Sequence, residues 1–159
     1  MRIRVFQVLL TLHISGLVIM AGTTFIDYVT FRTVGQLTKD RDKEAFLPLL
    51  SKYGALVRGG ALILIGTGLG MLLSKGALYD QIWFKIKMAL VVILILNGMF
   101  VGNPTGVKFR KMMADHGSEL ILQKATVSAQ LNRFYISQLV LFAIIILVGV
   151  TKIDLPILK

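Results

Sequence analysis

The chain has no cysteine in its 159 residues. That excludes disulfides, iron–sulfur ligation and thiolate zinc sites, and it leaves the redox compartment open. Only two histidines are present, His13 and His116, so one copy cannot supply the four imidazoles of a bis-haem arrangement. Proline is scarce, at three residues, and eight acidic side chains stand against eighteen basic ones. There is no paired-carboxylate site, no H-E-x-x-H, no Ser-His-Asp set at a recognisable spacing and no phosphate-binding glycine loop. The sequence therefore names no catalytic residue.

What fills the chain instead is apolar. Hydrophobic residues make up 55% of it, and the mean hydropathy is +0.76, too greasy for an ordinary soluble domain. The expected fold class is all-α, a polytopic membrane protein built as a four-transmembrane-helix bundle. It forms a single membrane domain over 1–159, with spans at about 5–28, 53–74, 83–103 and 133–151. The formal net charge of +10 fits basic loops pressed against the anionic headgroups of a lipid bilayer. No basic-aromatic motif points to nucleic acid.

Residues 5–26, VFQVLLTLHISGLVIMAGTTFI, carry no formal charge over a length that crosses a hydrocarbon core. The opening Met-Arg-Ile-Arg resembles a signal peptide, with Ala21-Gly22 as a small-residue cleavage site. The run is longer than the usual apolar region of about 7–15 residues and holds Gln7 and His13, so a retained helix is expected. Residues 27–53 read as a polar connection broken by Gly35, Pro48 and Gly54, with an alternating-sign run at 38–44. Gly66 and Gly70, in the second apolar run, form a G-x-x-x-G pair that lets membrane helices approach closely. Trp83 and Tyr79 mark the interface where the third span opens, after a short turn at 75–81. Asn103-Pro104-Thr105-Gly106 is expected to end or break that span. Residues 107–131 read as an amphipathic helical connection with a break near His116-Gly117, lying on or projecting from the membrane surface.

Four spans put both termini on one side. The two longer connections carry ten cations (Arg32, Lys39, Arg41, Lys43, Lys52, Lys108, Arg110, Lys111, Lys124, Arg133) against seven on the terminal side. The positive-inside bias places the connections in the cytoplasm and the termini outside.

His13 is the chemically notable residue. Gly16 and Met20 share its helical face, and it sits about 12 Å into the first span. Lys87 lies about 6 Å into the third span, in the same half of the bilayer. A haem there would offer propionates to Lys87 and iron to His13. Equally, His13 can hydrogen-bond a neighbouring helix while Lys87 snorkels to headgroups. Asp27 and Arg58 form a candidate charge pair closing the first helical hairpin. Thr23, Thr24, Asn97 and Gln138 are candidates for interhelical hydrogen bonds or for a quinone or proton route. Met20, Met71, Met88 and Met99 are of the kind that fills gaps between helices, and one of them, Met20 included, is a candidate axial ligand.

Leu12-His13-Ile14-Ser15-Gly16 with Met20-Ala21-Gly22, and Trp83-Phe84-Lys85-Ile86-Lys87 before a long aliphatic run, resemble the HemJ-type protoporphyrinogen oxidases and the related CopD-like membrane proteins. An uncharacterised sister family of four-helix integral membrane proteins looks closer still over the first three spans. The resemblance implies haem b on His13, a functional Lys87, a bacterial inner membrane, and redox chemistry with a quinone or porphyrin. It also implies a Tyr-His pair ten and eleven residues after the lysine, where this chain has Asn97-Gly98. The other class of function is a non-catalytic assembly or accessory subunit, in a homo-oligomer or larger membrane complex, packing through the glycine-rich second helix.

Overall fold

The computed structural model describes residues 2–37, 40–74, 81–114 and 121–151. Lys39, the turn at 75–80 with Tyr79, His116-Gly117 and the tail with Pro156 lie outside the described residues. Among the described residues the chain is all helix: α1 (Arg2–Gln36), α2 (Asp40–Ser74), α3 (Ile82–Asn97), a π-helical segment (Gly98–Gly102), α4 (Asn103–Ala114) and α5 (Ile121–Thr151). The π segment joins α3 to α4, so four rods result, and each contains a helix long and apolar enough to cross a membrane. The molecule is a four-helix, multi-pass membrane bundle.

The rods outrun the bilayer. At 35 residues, α1 is about 52 Å long against a hydrocarbon core of about 30 Å. Residues 27–53 are thus mostly helix, in the last part of α1 to Gln36 and the first part of α2 from Asp40, and Gly35, Pro48 and Gly54 interrupt neither helix. Burial explains why. Beyond Asp27, α1 keeps placing a side chain inward every three or four positions, with Thr30, Phe31 and Val34 all buried. The same rhythm runs the length of α5 in Val127, Leu131, Tyr135, Gln138, Phe142, Ile145 and Val148, which makes α5 the most continuous seam of the bundle.

Two apolar layers result. One joins Phe31, Val34 and Leu50 to Phe109, Met112, Val127, Leu131 and Tyr135. It is rich in rings: Phe31 meets Phe109 edge-on at 5.2 Å and Tyr135 at 5.6 Å. The other layer holds Met20, Leu94, Phe142 and Ile145. The layer of rings holds the helix ends together beside the connections, where the basic residues concentrate.

Asn103-Pro104 does not end the third rod. The helix passes through by widening, and the Asn103 N–H bonds the Gly98 carbonyl five residues back. Proline lacks an N–H and crowds the carbonyl four residues before it. One π turn absorbs that misfit without ending the rod. Gly102 then sits so close to Phe134 of α5 that a Cβ there would overlap the ring.

Candidate functional site

The α1–α2 hairpin crosses on glycines. A Cβ at Gly16 would stand 2.9 Å from Ile63 Cγ2 and 3.2 Å from the Gly60 carbonyl oxygen; one at Gly60 would stand 3.1 Å from the Gly16 carbonyl. Each glycine faces the other's backbone, an approach that only hydrogen at Cα permits. Gly16 is therefore a crossing residue. The G-x-x-x-G pair plays a lesser part: Gly70 packs on Leu9, but Gly66 faces open space.

This crossing sets His13, one turn before Gly16, against α2. Its Nδ1 lies 2.9 Å from Thr67 Oγ1. The threonine hydroxyl in turn reaches the Ile63 carbonyl at 2.5 Å and the Leu64 carbonyl at 3.3 Å. A hydroxyl owns one hydrogen, and the short contact to Ile63 takes it. Thr67 is then set to accept from the ring, an arrangement that favours the tautomer with the proton on Nδ1 and the lone pair on Nε2. Gly68 borders the ring edge, where a Cβ would stand 3.5 Å from Cε1, so α2 backs that edge of the imidazole with a residue that has no side chain.

Lys87 joins the site from α3. Its ammonium is near enough for its charge to act on His13, and it reaches over α5 to within 3.5 Å of a Cβ position at Gly149. Among the described residues no carboxylate pairs with it. His13 and Lys87, read from sequence as sharing a depth, lie within electrostatic range of each other with no hydrogen bond between them. Met20 does not join them. It is two turns along α1, packed with Leu94, Phe142 and Ile145, with its Cβ 3.0 Å from a Cβ position at Gly60. Among the described residues no three His, Cys, Asp or Glu side chains gather to hold a metal ion.

Asp27 and Arg58 are not a pair. Asp27 Oδ2 accepts from the Tyr135 hydroxyl of α5 at 2.8 Å, while Oδ1 is buried without a partner. Arg58 is exposed on α2, its guanidinium folded along its own helix to 3.5 Å from a Cβ position at Gly54. Glycine contact closes the hairpin instead. Asn97 does bridge helices, its amide donating to Ser137 Oγ at 3.1 Å and Gln138 Oε1 at 2.8 Å. Gln138 passes the link back to the Leu94 carbonyl at 3.3 Å. The Thr24 hydroxyl donates within α1, to the Met20 carbonyl at 2.8 Å.

Thr67, Gly60 and Gly68 are the site residues that sequence reasoning missed. The signal was the hairpin itself: once the turn lies near residue 38, α2 residues close to Thr67 must run past His13. Comparison of the chain with protein-family models, with curated proteins and with solved structures finds no match.

Proposed function

We propose that this chain is a haem-associated membrane protein in which His13 is the single protein ligand to haem b. The observation that carries the reading is the Thr67-anchored imidazole. Histidines that bind metal characteristically donate their other ring N–H to a fixed acceptor, which orients the ring and raises the basicity of the ligating nitrogen. His13 has that arrangement, with Nε2 unengaged by Thr67. Lys87 supports the same reading. A half-buried ammonium with no carboxylate on it among the described residues suits an anionic group brought by a ligand, such as a propionate.

In this reading haem, when bound, supplies one-electron chemistry towards a quinone or porphyrin in the membrane. The chain's own part is to hold and orient: Thr67 sets the ring, His13 Nε2 ligates and Lys87 balances charge. Met20 is in the apolar core and Asn97 is engaged with α5, so neither would join His13 in holding the haem. The setting is a bacterial inner membrane with periplasmic termini, supported by the cation bias of the connections.

The experiment is haem titration of the detergent-purified protein. A Soret band that saturates with one haem per chain and is lost in His13→Ala supports the proposal. No band, or the same band in His13→Ala, removes it. The open face at Gly66 favours a second reading, a non-catalytic accessory subunit. Co-purification of a stoichiometric protein partner without any haem uptake would select it.

A further inference from the structure

A groove of about 490 Å³ opens between the π segment and α4 on one side and α5 on the other. Its walls follow from local geometry. The widened turn leaves Phe100 71% exposed on the outer face, and the Gly102–Phe134 contact brings the two rods together beside it. Aromatic rings therefore line one part. Val101 lies beside the rings with Asn97 and Ser137, whose polar groups are bonded to each other, and Thr105, Gln130 and Arg133 line the part towards the end where the basic residues concentrate.

Charge on the two described helices that wall the groove is basic, and the nearest described carboxylate, Asp27 of α1, is engaged by Tyr135. Over Asn103–Ala114 and Ile121–Thr151 the chain carries Lys108, Arg110, Lys111, Lys124 and Arg133, and no Asp or Glu. A small hydrophilic anion would leave the ring-lined part wet. A neutral quinone would leave the guanidinium without a counter-charge. One class of molecule meets both parts, with an anion at one end and hydrocarbon at the other. The geometry points to a retained binding site for one anionic phospholipid, its phosphate on Arg133 with Gln130 and Thr105 as further donors, and its chain along Phe100 and Phe134. The volume suits a headgroup and the upper part of a chain. This site is separate from His13 and does not depend on haem.

The test uses the full chain in nanodiscs of mixed phosphatidylglycerol and phosphatidylcholine, transferred to detergent, with retained lipids counted by native mass spectrometry. One phosphatidylglycerol should stay bound per chain, in preference to phosphatidylcholine. Arg133→Gln should cut that preference by about fivefold, the scale of one interfacial cation. Arg32→Gln, exposed on α1 outside the groove, should leave it unchanged. Phe100→Trp, which fills the groove from its exposed face, should lower retention and serves if Arg133→Gln does not fold. Equal retention of the two lipids, equal effects of Arg133→Gln and Arg32→Gln, undiminished retention in Phe100→Trp, or a neutral molecule in the lipid's place would overturn the assignment.

Discussion

Thr67→Val isolates the contact on which the site is built. It removes one oxygen and nearly preserves volume. The Ile63 carbonyl loses only a side-chain back-bond, of the kind that adds little to a helix. The real change is at His13 Nδ1, which loses the acceptor 2.9 Å away. Leaving a part-buried N–H without a partner costs about 1–3 kcal/mol in general. Interhelical hydrogen bonds measured within membranes are weaker, about 0.6 kcal/mol on average and up to about 1.7. The Leu64 carbonyl, 3.3 Å from the same hydroxyl, offers the ring a fallback. A loss of about 1 kcal/mol is therefore expected, from equilibrium unfolding in mixed micelles. A double-mutant cycle with His13→Ala should give a coupling of about 0.6–1.7 kcal/mol. Strict additivity of the two substitutions would refute the bond. Thr67→Val should also weaken haem binding by about 10- to 100-fold, as losing an orienting partner does at metal-ligating histidines.

Two further outcomes test the packing around the site. Gly16→Val places carbon against the Gly60 carbonyl, which is backbone and cannot swing aside. It should cost about 1–3 kcal/mol, while Gly66→Val, facing open space, should stay within about 0.5 kcal/mol; equal losses in the same unfolding assay would put the crossing elsewhere. Tyr135→Phe strips Asp27 of its hydrogen-bond donor and should cost about 1–3 kcal/mol, with part recovered by adding Asp27→Leu, which removes the stranded carboxylate. No loss in Tyr135→Phe would mean that Tyr135 stabilises the bundle through ring packing alone.

The membrane character and the number of rods were legible in the sequence because uncharged runs of this length have few other uses. Helix ends were less so. Charges at residues 27–53 hid an inward rhythm at Thr30, Phe31 and Val34, since solvated faces dominate composition while burial is carried by every third or fourth residue. Pro104 suggested an ending, and nothing in the sequence distinguishes a broken helix from one that widens by a π turn. The depth match of His13 with Lys87 could be reckoned from rise per residue alone. The choice of Gly16 and Gly60 over Gly66 and Gly70 could not, because it depends on how α1 and α2 are rotated about their axes. That rotation also decided that Thr67 meets the imidazole and that Asp27 turns to Tyr135, leaving Arg58 exposed.

Nitrogen-15 NMR of the histidine side chains tests the central claim most directly, and with only two histidines in the chain His13→Ala completes the assignment. In the ligand-free protein, His13 should carry its proton on Nδ1 with Nε2 bare, and added zinc protoporphyrin should shift Nε2 while Nδ1 stays protonated. A proton on Nε2, or a His13 signal that ignores the porphyrin, would contradict the account.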